Sequence, residues 1–316
     1  MPFDREATKA ALGILARRGV FIGTSSWKYP GWGGQLYDLA RYEWRGRFAH
    51  RRFERNCLAQ YAEVFKTVCV DAAYYTFPDR KHLETLAAQV PLDFQFALKV
   101  TDEITVRKFP RLDRFGDRAG KDNENFLNAD LFANAFLEPC EAIRSRVGLL
   151  IFEFSRFYPT DYEHERDFLD DLGAFLERLP ENWPYAVEIR NRHWLQPDYF
   201  ECLSRRGVTH VFNSWDAMPP VSEQMALPGS RTNPALVAAR FLLKPGRRYE
   251  EAVMAFQPYD RIKEPDPKAR AAGKVLVAEG QQAGPDRKTF IYVNNRLEGN
   301  ALETIAAIVE DVVISQ

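Results

Sequence analysis

Tyr185-Ala186-Val187-Glu188-Ile189-Arg190 is the stretch on which the reading of the fold turns. In a strand, successive side chains point to opposite faces, so Val187 and Ile189 share one face. Ala186, Glu188 and Arg190 share the other. The branched residues suit a surface covered by helices, which leaves a carboxylate and a guanidinium on the inner face. A strand that is apolar outside and charged inside belongs in a closed parallel barrel, whose lumen ends in polar residues where the strands end.

Seven further β-rich runs lie along the chain: Val20–Ser25, Thr67–Asp71, Phe94–Lys99, Val147–Glu153, Val208–Asn213, Val237–Leu243 and Thr289–Asn294. Between them are amphipathic segments, Phe53–Phe65, Arg80–Gln89, Asp167–Leu179, Pro197–Arg206 and Ala301–Val313. Strand alternating with helix calls for parallel strands joined by crossover helices. Eight such strands point to one α/β domain over residues 1–316, a (β/α)₈ TIM-like barrel. The competing open, doubly wound sheet would carry GxGxxG after its first strand; Ile22–Gly34 has Trp27, Trp32 and Pro30 there instead. Long loop insertions follow the first, third and seventh runs. The first, Tyr29–Arg52, is rich in aromatics and is expected to pack. Residues 257–288, polar with Pro and Gly, are expected to be a mobile insertion, and residues 1–18 a lead-in helix.

Composition narrows the function classes. With 43 Lys and Arg against 44 Asp and Glu there is no global basic field, so net charge does not favour nucleic acid as the partner. Cys57, Cys69, Cys140 and Cys202 are widely spaced and form no CxxC, arguing against structural zinc or a disulfide framework and for a cytoplasmic location. No apolar run nears the roughly 18 residues that span a membrane, so no membrane partner is expected.

Extending the period-two sorting gives the lumen. Thr67, Cys69 and Asp71 point inward, as do Gln95, Ala97 and Lys99. Phe290, Tyr292 and Asn294 do the same, and Arg240 is assigned inward with Ala238. Glu153 ends a run that is apolar on both faces, so alternation does not orient it. Ser25 points inward if Gly23 does. Asp71, Lys99, Glu188, Arg190, Arg240 and Asn294 thus line the C-terminal end of the lumen. Buried charges are costly unless paired or used, so this set forms either a self-satisfied ion-pair layer or a working site.

With these residues placed, the chain resembles the YecE-like family, also called domain of unknown function 72 (DUF72). The likeness runs through IGTSSWKYPGWGGQLYD (Ile22–Asp38), TVCVDAAYYTFP (Thr67–Pro78) and FQFALKVTDEIT (Phe94–Thr105). It continues in GLLIFEF (Gly148–Phe154), YAVEIRNRHWL (Tyr185–Leu195) and YVNNRLEGNA (Tyr292–Ala301). The resemblance implies a TIM barrel and supplies no established activity. It also marks departures: Cys69 stands where the family usually has Glu, Val106 where it has His, Glu153 where it has Gln. Lys244-Pro245-Gly246 stands where many relatives have His-Gly.

The residues themselves suggest an enzyme (hydrolase, lyase or isomerase) acting by acid–base chemistry on a polar, anionic, sugar-like small molecule. Glu188, Asp71 and Lys99 are the catalytic candidates. Arg190 and Arg240 can fork onto phosphate or carboxylate. Asn294, Asn295, Ser25 and Glu153 are candidates for hydroxyls, and Trp27, Tyr74 and Trp194 for stacking. No motif calls for a cofactor. The carboxylates Asp71, Glu153, Glu188 and Asp216 allow a divalent Mg²⁺ or Mn²⁺ site, against which Lys99 and Arg190 compete. Of the five histidines, His193 and His210 fall near strand ends or mid-barrel, too few for a multi-histidine zinc site. Two alternatives stand beside this reading. One is a metal-assisted phosphodiesterase or nuclease on nucleic acid, motivated by the Arg41–Arg55 and Arg107–Arg118 loops. The other is a non-enzymatic ligand-binding or interaction protein.

Overall fold

Val187 and Ile189 pack in the large outer core, and Ala186 packs in a second apolar cluster that fills the lumen, as the alternation requires. The computed structural model describes residues 3–312. Its strands in chain order are β1 (Val20–Thr24), β2 (Glu43–Trp44), β3 (Arg47–Phe48), β4 (Thr67–Val70) and β5 (Gln95–Lys99). They continue as β6 (Val147–Phe154), β7 (Tyr185–Ile189), β8 (Thr209–Ser214), β9 (Leu236–Phe241) and β10 (Lys288–Val293). β2 and β3 form a small antiparallel hairpin; the other eight are parallel and close into a barrel in chain order. Each of the eight expected runs is one of these barrel strands.

The lumen is packed in layers. Phe21 and Phe290 stack with centroids 5.0 Å apart at the N-terminal end, and Tyr292 follows above them. Ala97, Ala186 and Ala238 from the alternate strands β5, β7 and β9 leave room for these rings. The seam between β1 and β4 is short, with the single register pair Thr24↔Val68. Tyr61 secures it: its hydroxyl accepts from the Thr24 amide at 3.0 Å and donates to the Thr67 carbonyl at 3.0 Å.

The outer helices include Arg5–Arg17, the expected lead-in, with Asp4 as its N-cap. His50–Ala62, Arg80–Ala87, Glu165–Glu177, Pro197–Ser204 and Ala301–Val309 match the amphipathic segments; Val313, at the end of the last, lies outside the described residues. The loop after β1 packs as expected: Tyr37 and Tyr42 each meet Phe53 edge-on at 5.1 Å. Residues 257–288 correct the expectation of an insertion. They carry a 17-residue crossover helix, Pro267–Ala283, capped by Asp266. The polar stretches at its two ends, Glu264–Arg270 and Gln281–Lys288, with their Pro and Gly, give the loop reading, while inside the helix Gly280 allows close approach to the barrel wall. A Cβ on Gly280 would lie 2.5 Å from Val20 Cγ2 and 2.9 Å from Thr289 Oγ1.

Gly280→Ala should therefore destabilise, although alanine is the better helix former by about 1 kcal/mol. The expected net loss is about 1–3 kcal/mol, the usual cost of overpacking. Urea unfolding measures it, and an unchanged or higher midpoint would refute the close approach. Among the described residues no helix is long and apolar enough to cross a membrane. All four cysteines are unpaired.

Candidate functional site

Leu149 and Ile151 of β6 belong to the lumen cluster, so Glu153, two residues on, also points inward. Its register partner on β7 is Glu188. Two carboxylates side by side in a low-dielectric interior repel unless cations separate them. Arg240 of β9 does so: its Nη1 lies 2.6 Å from Glu153 Oε2 and 2.6 Å from Glu188 Oε2. Lys99 Nζ and Arg190 Nη2 also reach Glu153 Oε2, each at 2.9 Å. Arg190 further holds Glu188 Oε1 through Nη2 at 3.1 Å and Nε at 3.3 Å.

Burial pushes the Glu153 carboxyl pKa up, but Arg190, Lys99 and Arg240 together outweigh it and hold the group well below its usual 4.5. Glu153 is thus a permanent anion at neutral pH. Burial also works against the charge on Arg240, and Glu188, Cys69, Glu153 and Asp71 more than offset it, so this guanidinium stays protonated.

Asp71 differs from the two glutamates. It opens a 3₁₀ turn, Asp71–Tyr74, just beyond β4, and its side chain is 35% exposed, against 0% for Glu188. Its Oδ1 lies 3.6 Å from Arg240 Nη2, an ion pair at long range. The neighbouring Cys69 thiol is pushed up by burial and by Asp71, which keeps it protonated and a poor nucleophile. Two rings flank the exposed rim of the cluster. Lys99 Nζ sits 3.7 Å from the centre of the Tyr74 ring, and the Arg190 guanidinium 3.8 Å from that of Trp215. Beside Arg190 a cleft of about 250 Å³ opens between Arg156, Tyr158, Arg192 and Trp194.

The structure therefore brings Asp71, Lys99, Glu153, Glu188, Arg190, Arg240 and Tyr74 into one cluster at the C-terminal mouth. Other sequence candidates serve the architecture. Asn294 Oδ1 accepts from the Arg296 amide at 3.0 Å. Asn295 Oδ1 accepts from the Ala301 amide at 2.7 Å and the Trp32 indole at 3.3 Å, tying the first loop to the last helix. Trp194 stacks on Phe157 and Phe168, each at 5.4 Å, and stands half-buried at the wall of the cleft beside Arg190. Trp27 is buried with Lys28 over its ring at 5.3 Å. Ser25 is buried, and its hydroxyl has no partner among the described residues.

Sequence reasoning missed two members. Asn213, next to last in β8, faces inward as register partner of Arg240, and its Oδ1 is buried without a hydrogen bond, as is Arg240 Nε. Trp215 lies just past the same strand. Both were signalled by position, since Val208–Asn213 puts its last residue on the inner face. Glu298 of the RLEGN stretch is fully buried; it holds Arg270 at 2.9 Å and Thr304 at 2.6 Å, and anchors the final loops.

No three of His, Cys, Asp and Glu converge as a metal-holding group among the described residues. Glu153 and Glu188 instead direct their oxygens at Lys99 and the two guanidiniums. His210 faces outward between Tyr199 and Phe212, its Nδ1 3.1 Å from the Tyr199 hydroxyl, and burial lowers its pKa to about 3. Val106, a departure point from the family pattern, packs with Phe109 and Phe115. Lys244, another, pairs with Glu264 at 2.7 Å. In the second Arg-rich loop, Arg114 and Arg118 fold back onto Asp102 and Glu103, each at 2.6 Å.

Two solved structures share the fold. A DUF72 family protein from Enterococcus faecalis V583 superposes with TM-score 0.61 at 18% identity, covering 93% of this chain and 97% of that one. A DUF72 family protein from Thermotoga maritima MSB8 gives TM-score 0.57 at 19% identity, covering 92% and 97%. No curated protein matches the chain. Residues 21–316 match the family described as "Protein of unknown function DUF72", which takes in every barrel strand but the first residue of β1 and the whole mouth cluster. The chain therefore belongs to the DUF72 family.

Proposed function

We propose that the C-terminal mouth of this barrel binds a small, anionic, hydroxylated molecule and acts on it as an acid–base enzyme. The observation that carries this reading is the convergence of Lys99 Nζ and Arg190 Nη2 on one Glu153 oxygen, each at 2.9 Å, while both side chains keep 11% exposure at the rim. An ammonium has three donors and a guanidinium five, so both retain N–H groups for an incoming anion. Lys99, Arg190 and Arg240 outnumber Glu153 and Glu188, and among the described residues the remaining positive charge is met by Asp71 at long range.

Roles divide by accessibility. Asp71 is the carboxylate open to solvent, and it serves as the proton-transferring group. Glu188, with both oxygens on guanidiniums, positions Arg190 and Arg240 rather than moving protons. Glu153, held ionised, fixes the geometry of the three cations. Tyr74 and Trp215 limit the swing of Lys99 and Arg190, which preorganises the donors. The cleft beside Arg190 gives room for the rest of the ligand. Hydrolysis, elimination and isomerisation of an anionic substrate all fit this arrangement.

The test is a thermal-shift and calorimetric screen of sugar phosphates and hydroxy acids. A ligand held at about 100 times its Kd should stabilise the wild type by about 2.7 kcal/mol. Arg190→Ala should lose most of that shift. Asp71→Asn should keep the shift and lose turnover by about 10²–10⁴-fold. Equal shifts in wild type and Arg190→Ala would refute the anion site, and unchanged turnover in Asp71→Asn would refute its role.

A further inference from the structure

We infer that the β2–β3 hairpin and the first turns of the following helix form a docking site for single-stranded nucleic acid, separate from the mouth cluster. The segment Arg41–Arg55 carries six arginines and His50 against Glu43 and Glu54, in a chain whose net charge is −1. Arg45, Arg47, Arg51 and Arg55 are exposed and make no ion pair among the described residues. Arg41 is shared between Asp38 and Glu63, and Arg52 donates to the Glu43 carbonyl at 3.1 Å. A run of solvated arginines alone is an ordinary surface.

Here it frames a tryptophan. Trp44 is 65% exposed, with the Arg45 guanidinium 5.9 Å from the centre of its ring. The hairpin that presents it is held rigidly. Tyr42 and Phe48 both pack on Phe53, at 5.1 and 5.6 Å, and the Ala49 amide donates to the Tyr42 carbonyl at 2.8 Å. At the tip, Arg45 and Gly46 both have left-handed backbone, with φ of 52° and 73°. Arginine is an uncommon residue in that conformation, and here it turns the guanidinium back over the indole.

An exposed indole flanked by unpaired guanidiniums offers a stacking platform and phosphate contacts together. A single strand presents unstacked base faces to such a platform, whereas a duplex conceals them. The loop follows β1, so it rises from the same end of the barrel as the mouth cluster without sharing a residue with it.

Fluorescence anisotropy with labelled oligothymidine and oligouridine of about 12 nucleotides tests this. Trp44→Ala should weaken binding about tenfold and Trp44→Phe much less, since a smaller ring still stacks. Four phosphate contacts give a slope of log affinity against log salt of roughly −3, and the double variant Arg47→Glu/Arg51→Glu should make it shallower. All these side chains are exposed, so circular dichroism should be unchanged, and ligand-induced thermal shifts at the mouth should persist. The inference is overturned if Trp44→Ala binds as tightly as wild type, or if a duplex of equal length competes equally. It is also overturned if phosphatidylglycerol vesicles are bound and the oligonucleotides are not.

Discussion

Glu153→Ala is expected to lower the free energy of unfolding by about 3–5 kcal/mol, the cost of removing one partner from a buried ionic cluster. Three cations meet on a single oxygen of this residue. Deleting it leaves Lys99 with no ion-pair partner among the described residues, and Arg190 and Arg240 with Glu188 and the more distant Asp71. Glu153→Gln should recover part of the loss through hydrogen bonding but not the charge. The pH dependence has a defined sign. Because the folded-state pKa lies below the usual 4.5, the contribution of Glu153 is fully present above that value and is lost as pH falls through and beneath it. The stability gap between wild type and Glu153→Gln, read by urea unfolding, should thus narrow from neutral pH toward about 3. A gap that stayed constant across that range would contradict the assignment of Glu153 as a depressed, ionised carboxylate.

Gly23→Ala is the second large effect, and it acts on barrel closure. A Cβ at this position would sit 2.1 Å from the Thr67 carbonyl oxygen and 2.9 Å from its carbon. Both are backbone atoms of the partner strand, so no side-chain rotation relieves the contact. β1 and β4 would have to part at the seam where they share one register pair and the Tyr61 bridge. Expected is a loss of about 3 kcal/mol or more, at the top of the overpacking range, with weakened near-ultraviolet dichroism from the lumen rings. A melting temperature within about 2 °C of wild type would show that the seam yields more easily than this packing implies.

Much of the barrel was legible because strand patterning is local. A period of two is visible in Tyr185–Ile189 and Lys288–Val293 without knowing any neighbour, and the inward parity of Lys99 and Glu188 follows from it. The helix Pro267–Ala283 was not legible as one. Gly273 and Gly280 lower helix propensity, and their value is realised only against Ile308, Val20 and Thr289, which are remote in sequence or on another element. Glu153 was ambiguous for a related reason: β6 is apolar on both faces, so only the ring of neighbouring strands tells the lumen from the helix layer.

The site divides in the same way. By itself the sequence determined that charged residues end the strands and face inward, since composition and parity are properties of each strand alone. Which carboxylate stays open to solvent rests on the tertiary structure. Asp71, Glu153 and Glu188 are chemically alike on paper, and the register of β6, β7 and β9 directs Arg240 at the two glutamates while Asp71 stands outside at the rim. Asn294 and Asn295 looked equally suited to a ligand, yet the fold aims their carbonyls at backbone amides that stay invisible until the last loop is closed. Solvent access and the satisfaction of buried polar groups depend on pairs far apart in the chain, and only the closed barrel brings those pairs together.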